Sequence, residues 1–127
     1  MKLLTNLFFA MLLCVALPAA VQAQNEALDF KLVNKTGYDI ESVYIAPTSS
    51  TDWGDDVMGE EDILKNNESV DIVFNPKAKA AKWDMSVSWV GYAAEEDVSW
   101  TGLDLTKVNK LTITYDEKTN KTTATWE

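Results

Sequence analysis

Hydrophobic and polar residues alternate along much of the chain after residue 27, and this alternation predicts short half-buried β-strands. Clusters of glycine, proline, asparagine and aspartate separate the alternating stretches and predict turns between them. No internal repeat or low-complexity segment interrupts the pattern. The predicted strands are residues 28–33, 39–46, 70–74, 83–89, 98–102, 111–115 and 122–126.

The last two segments predict a β-hairpin with a well-defined register. Apolar residues alternate with threonines in both segments, so only one register places all apolar residues on one face and all threonines on the other. A shift by one residue would destroy both matches. The predicted cross-strand pairs are Tyr115–Thr122, Ile113–Ala124, Leu111–Trp126, Thr112–Thr125 and Thr114–Thr123.

Three details of the other strands are also predicted. Alternation breaks at Ser42-Val43, which indicates a β-bulge or burial on both faces. Pro47 ends the second strand because proline cannot donate to a ladder, and Val90 and Tyr92 extend the fourth strand. The tryptophans at inward strand positions are expected in the core: Trp83, Trp89, Trp100 and Trp126.

Seven short strands predict an all-β fold, an antiparallel β-sandwich, with a small β-barrel as the alternative. Residues 24–127 are expected to form a single domain, because a chain of this length buries enough surface to fold alone.

The first 23 residues have the features of a secretory signal peptide. Lys2 is followed by an apolar run over 7–20, and Val21-Gln22-Ala23 is a small-x-small cleavage site. Cleavage predicts a periplasmic or secreted protein with no membrane insertion afterwards. It also removes Cys14, the sole cysteine, so the exported domain is expected to fold without a disulfide.

The composition excludes several functions. The chain carries a net charge of −9 and contains no histidine or arginine. Nucleic acids need a positive surface, so they are not expected partners. Histidine and cysteine are missing after residue 23, which excludes the usual nucleophile pairs and zinc ligands. Hydrolysis by a pair of carboxylates stays possible in principle, but a domain of this length rarely encloses the cleft that it needs. We therefore predict a non-enzymatic protein, and we also expect it to be a monomer.

The segment 47–64 is a long loop rich in carboxylates, and carboxylate oxygens are the ligands that calcium prefers. Calcium binding is one interpretation, although the spacing does not match an EF-hand loop; solubility alone is the other. The candidate metal ligands are Asp52, Asp55, Asp56, Glu60, Glu61 and Asp62.

Trp53 and two glycines give the same loop a second interpretation. A tryptophan here either packs into the end of the sandwich or offers a face to a ligand, and the first is expected. The loop then has a fixed shape with its carboxylates in solvent, and its predicted role is recognition. The predicted binding residues are Asp52, Trp53, Gly54, Asp56 and Gly59.

The chain resembles a family of small, largely uncharacterised bacterial secreted β domains over most of residues 30–112. The resemblance implies a compact β domain and bacterial export. Some relatives carry an argininosuccinate lyase label, but that enzyme is a large helical protein, so the label is not extended to this chain. The matching motifs are Asp52-Trp53-Gly54-x-Asp56-x-x-Gly59, Val33-Asn34-x-Thr36-Gly37, Tyr44-Ile45-Ala46-Pro47, Trp83-Asp84 and Trp100-x-Gly102-Leu103-Asp104-Leu105-x-x-Val108-x-x-Leu111.

The sequence thus predicts an exported domain that recognises a protein or a glycan through the loop 47–64. One alternative is a carbohydrate-binding module that uses exposed tryptophans. Another is an inhibitor or partner subunit of a second envelope protein.

Overall fold

The structure is a computed structural model that describes residues 28–59, 62–73 and 79–127. The predicted signal peptide lies outside these residues. No helix in the described ranges is long and apolar enough to span a membrane. The strands are β1 Phe30–Lys35, β2 Ile40–Pro47, β3 Ser69–Ile72, β4 Trp83–Trp89, β5 Val98–Leu103, β6 Lys110–Asp116 and β7 Lys121–Trp126.

Seven strands form two separate sheets, with orders β3-β1-β6-β7 and β2-β4-β5. The predicted β-sandwich is therefore confirmed, and the barrel alternative does not apply. Four of the strand pairs are antiparallel, but β1 and β6 pair in parallel. This parallel pair was not anticipated from the sequence. It is possible because the chain passes through both sheets between β1 and β6, which gives the long connection that parallel strands need.

The core lies between the sheets and follows the predicted alternation. In β4, the middle strand of the smaller sheet, Trp83, Met85, Val87 and Trp89 are all buried. In β6, Leu111 and Ile113 are fully buried, and both face the core from the larger sheet. Strand order and alternation together account for this core, because a residue at every second position is withdrawn from water.

The C-terminal hairpin has the predicted register at every pair. The expected bulge near Ser42 is also present, as a register shift between Ile40 and Ser42. The prediction that Val90 and Tyr92 extend the fourth strand is wrong. Gly91 has a φ of 81° and Tyr92 N–H donates to the carbonyl of Trp89, so the chain makes a β-turn directly after β4, with glycine where φ must be positive.

The tryptophan predictions are confirmed in part. Trp83 and Trp89 are buried, and Trp100 is half-buried against the core. Trp126 was expected in the core, but 48% of its surface is exposed. It has the predicted inward register opposite Leu111, yet β7 is an edge strand. The last residue of an edge strand has a neighbouring strand on one side only, which leaves the ring open to water.

Asn34, near the end of β1, is completely buried and fully hydrogen-bonded. Its amide Nδ2 donates to the carbonyls of Tyr38 (2.7 Å) and Leu64 (3.0 Å). Its Oδ1 accepts from the backbone N–H (3.1 Å) and the hydroxyl (2.7 Å) of Thr36. Buried polar atoms need such partners, so one side chain holds the loop after β1 and the segment before β3 together.

Replacing Asn34 by alanine is expected to destabilise the protein by about 2–3 kcal/mol, because the buried N–H of Thr36 loses its acceptor. The carbonyls of Tyr38 and Leu64 also each lose one of their two donors. Chemical denaturation measures this free energy of unfolding. The matched control is Asn109→Ala at an exposed position, which should change stability by less than about 0.5 kcal/mol. Equal midpoints for the two variants would show that the Asn34 contacts do not stabilise the fold.

Candidate functional site

The acidic loop 47–64 is attached to β2 by Asp56. The Asp56 carboxylate accepts hydrogen bonds from the backbone N–H groups of Val43 and Met58, both at 3.0 Å. The N–H of Val57 also donates to the carbonyl of Val43 at 2.8 Å. These contacts lie beside the bulge of β2, where the ladder to β4 is irregular. Asp56 therefore stabilises the loop and is not a freely exposed ligand group.

Trp53 does not pack into the end of the sandwich, so that expectation is wrong. Its side chain is 37% exposed, whereas Val57 and Met58 pack against the core. Asp52 and Gly54 form a tight turn in which the Asp52 carboxylate accepts from the N–H of Gly54 at 3.2 Å. The turn presents Trp53 outward because the apolar anchors of the loop come four and five residues later.

The predicted metal ligands do not converge in the described part of the chain. Among these residues no group of three or more acidic side chains could hold a metal ion. Glu60 and Glu61 lie outside the described residues, so calcium binding stays a prediction. Gly59 is followed closely by Asp62, whose carboxylate would lie 3.2 Å from a Cβ at position 59. This contact and a φ of 98° explain glycine there.

A cavity of about 300 Å³ lies at the opposite end of the sandwich from Trp53, where β1 and β6 end. Residues from both sheets line it. We call it the tyrosine cleft, and define it by Tyr38, Tyr92, Tyr115, Glu95, Glu96 and Asp97.

Tyr38 is the middle ring of the three tyrosines. Its ring is in edge-to-face contact with Tyr92 (centroids 5.9 Å apart, planes at 89°) and with Tyr115 (5.6 Å, 78°). Its backbone is held on both sides, because its carbonyl accepts from Asn34 and its N–H donates to the Thr36 hydroxyl at 3.1 Å. The buried asparagine of β1 thus helps to hold the backbone that carries the central ring.

Tyr92 reaches the cleft through the β-turn after β4. The N–H of Val90 in this turn donates to the carbonyl of Asp39 at 3.1 Å, which ties the turn to the residue next to Tyr38. Tyr92 remains 54% exposed and Tyr38 38% exposed. Two aromatic side chains from separate connections are therefore placed together and left accessible to solvent.

The acidic side of the cleft is a short 3-10 helix, Ala94–Glu96, followed by Asp97. The indole N–H of Trp89 donates to the carbonyl of Glu96 at 3.0 Å, which attaches this helix to the end of β4. On the other side, the Tyr115 hydroxyl donates to Asn120 Oδ1 at 2.8 Å. Both walls are thus held by hydrogen bonds from aromatic side chains.

Negative charge is concentrated at this acidic side. Partial burial raises the pKa of Asp97 above its ordinary value, and the charges of Glu41 and Glu95 raise it further. The pKa of Tyr38 is also raised, first by Tyr92, then by burial, Tyr115 and Glu117. The ion pairs found in the described residues involve other carboxylates, those of Asp104 and Glu127. Lysine therefore neutralises no carboxylate of the cleft in the described part of the chain.

Sequence reasoning missed this cleft. It assigned Tyr92 to a strand and gave no role to Tyr38. A usable signal was present, since Gly37-Tyr38 and Gly91-Tyr92 repeat a tyrosine directly after a turn glycine. A large aromatic residue at the tip of a turn has few core neighbours, so two such pairs indicate exposed rings near strand ends.

Comparison with protein-family models and with curated protein sequences gives no match. The chain is similar to one solved structure described as "NMR structure of the protein from Eubacterium rectale". The two share 16% identity with a TM-score of 0.49, over 77% of this chain and 85% of the other. Similarity at this level carries no argument about function. The resemblance to the family of secreted β domains stays a prediction.

Asp56→Ala is expected to lower the free energy of unfolding by about 1–2 kcal/mol, because the N–H groups of Val43 and Met58 lose their acceptor. The neighbouring Asp55→Ala removes the same charge from an exposed side chain and should change stability by less than about 0.5 kcal/mol. Denaturant titration of both variants checks this. If Asp55→Ala were the more destabilised protein, the assignment of Asp56 as the anchor would be wrong.

Asp97→Asn is expected to raise Tm at pH 7. A raised pKa means that the folded protein holds this proton more tightly than the unfolded chain, so stability falls as pH rises through the ordinary aspartate range near 4. Asparagine does not ionise, so the substitution removes this loss of stability at neutral pH. Below about pH 3 the carboxyl is largely protonated in both states, and the two proteins should melt together.

Calorimetric melting at the two pH values makes this comparison. Asp55→Asn is the control for the change in net charge, and it should raise Tm less than Asp97→Asn does at pH 7. A lower Tm for Asp97→Asn at pH 7 would contradict the proposed crowding of negative charge.

Proposed function

We propose that the protein is an exported, non-enzymatic recognition domain whose ligand binds in the tyrosine cleft. Export rests on the predicted signal peptide over residues 1–23 and on the resemblance to secreted β domains. Recognition rests on the geometry of the cleft. The proposed site is thus at the other end of the sandwich from Trp53, the exposed aromatic residue of the loop 47–64.

The observation that carries the proposal is the convergence of three tyrosines from three different parts of the chain. Tyr38 follows β1, Tyr92 follows β4, and Tyr115 lies in β6. Tyrosine offers a large apolar face and a polar hydroxyl at low conformational entropy, which is why it is enriched at binding sites. A cavity of about 300 Å³ beside these rings has the size of a small-ligand pocket.

Rigidity supports the same proposal. The side chains of Asn34 and Trp89 donate hydrogen bonds, and that of Thr36 accepts one, within the connections that carry the cleft residues. A site that is already ordered loses little entropy when a ligand binds. Loops placed on a rigid β scaffold are a common location for recognition.

The chemistry of the cleft also favours binding over catalysis. Its polar side chains are phenols, carboxylates, an amide, a threonine hydroxyl and the indole of Trp89. None of these forms a hydroxyl–base pair of the kind that activates a nucleophile. The Tyr115 hydroxyl donates a hydrogen bond to the side-chain amide oxygen of Asn120. An amide oxygen is not a base that could activate the hydroxyl.

A second candidate is glycan binding at Trp53. This ring is 37% exposed beside a depression of about 100 Å³, which is also lined by Ser50, Thr51, Asp52 and Asp84. An exposed indole next to hydroxyls and carboxylates can stack on a sugar ring and hydrogen-bond its hydroxyl groups. The depression is smaller than the tyrosine cleft, which places this candidate second.

Ligand screening by ¹H–¹⁵N NMR tests both candidates on the same protein. The screen uses small-molecule fragments of varied charge and a panel of neutral oligosaccharides. We expect saturable chemical-shift changes to cluster at Tyr38, Tyr92 and Tyr115 and in the range 94–98. Hits confined to residues 50–54 would favour the glycan candidate, and hits scattered over the surface would contradict both.

A further inference from the structure

The tyrosine cleft combines aromatic walls with carboxylates that have no lysine partner in the described residues. We propose that it binds the alkylammonium group of a small organic cation. This inference rests on the proposed function of the cleft as a binding site, and it adds the chemical class of the ligand.

The orientation of the rings favours a compact cation. The Tyr38 plane lies at 89° to Tyr92 and at 78° to Tyr115, so the rings form corners and do not form one flat platform. Rings set at these angles cannot all stack on one flat ligand. An ammonium group has no plane, and it is attracted to any ring face that lies within about 6 Å of it.

The negative charge of the cleft also favours a cationic ligand. Glu95, Glu96 and Asp97 line one side of the cavity, and no lysine is among the residues that line it. Glu41 and Glu117 are close enough to influence Asp97 and Tyr38 respectively. An anionic ligand would meet repulsion from every charged group of the cleft. A cation would find carboxylates on one side and electron-rich ring faces on the other.

Crowding of these carboxylates gives a physical reason for binding. Burial raises the pKa of Asp97, and repulsion from Glu41 and Glu95 raises it further. This repulsion is present in the free protein, and a bound ammonium would relieve it. Groups that reduce stability in this way are often found at functional sites. The cavity of about 300 Å³ is also large enough for a short alkyl chain behind the ammonium group.

Three molecules of nearly equal shape and different charge test the inference: 1,5-diaminopentane, 1,5-pentanediol and glutarate. Titration of the purified protein is followed by ¹H–¹⁵N NMR and by calorimetry at low ionic strength. We expect the diamine to bind with a Kd of about 1 mM or tighter, with the largest shifts at Tyr38, Tyr92 and Glu96. The diol and glutarate should bind at least tenfold more weakly.

A fourth probe, Nα-acetyl-lysine amide, distinguishes the source of the ammonium group. Tighter binding of this probe would indicate a lysine side chain of a peptide. Tighter binding of the diamine would indicate a free amine. Either result supports recognition of an alkylammonium group.

Variants at Tyr92, whose side chain is more than half exposed, test the aromatic contribution without threatening the fold. Tyr92→Leu should weaken diamine binding about five- to tenfold, and Tyr92→Phe, which keeps the ring, less than about twofold. Glu96→Gln should weaken binding about threefold or more, whereas Asp55→Asn removes the same charge at an exposed position outside the cleft and should leave the Kd unchanged.

The outcomes separate this inference from the proposed function. Equal binding of diamine and diol in the cleft would overturn the ammonium inference and keep the cleft as a binding site. Diamine shifts that are spread over the surface and unchanged in Tyr92→Leu would show only the general attraction of a chain of net charge −9, and would also overturn it. Absence of binding in the cleft by every probe and every fragment would contradict both proposals.

Discussion

Four hydrogen bonds surround the side chain of Asn34 and join the end of β1 to Thr36, Tyr38 and Leu64. The same residue pairs through its backbone with Glu68 and Asn67, at 3.0 and 2.7 Å. A buried amide lowers the stability of the fold when any of its polar atoms lacks a hydrogen-bond partner. When all of them are paired, it favours one arrangement of the surrounding chain. Backbone hydrogen bonds between Ile40 and Leu64 join the same two segments, and Asn34 adds the buried side-chain contacts between them. A hydrophobic side chain of similar size would remove these contacts, so the shape of this end of the sandwich depends in part on the asparagine.

The consequence for function is a cleft that is ordered before any ligand arrives. Asn34 fixes Tyr38, the β-turn of Gly91 brings Tyr92 to it, and Trp89 fixes the acidic helix opposite. The walls are thus supported from the core, while the charges at the rim repel one another. Walls held by core hydrogen bonds, with mutually repelling carboxylates at the rim, are expected of a binding site. The bound ligand there offsets a local loss of stability.

Much of the fold was predictable from local patterns, and the site was not. The C-terminal hairpin follows from two-residue alternation alone, since only one register matches both faces. The parallel pairing of β1 with β6 depends on how the chain crosses between sheets, which alternation does not encode. Trp126 shows the same limit, because its inward register is correct but its edge position leaves it exposed. The acidic loop 47–64 was predicted as the site because its carboxylates are adjacent in the sequence. The three tyrosines of the cleft are 23 or more positions apart in the chain, so no single local pattern contains all of them.

The most direct test of this account is a crystal structure of the protein with 1,5-diaminopentane bound. The account predicts an amine nitrogen over a ring face of Tyr38, Tyr92 or Tyr115 and within hydrogen-bond distance of Glu95, Glu96 or Asp97. It also predicts that the contacts of Asn34 are the same with and without the ligand. An amine bound elsewhere, or a cleft whose tyrosines must rearrange to admit it, would contradict the account.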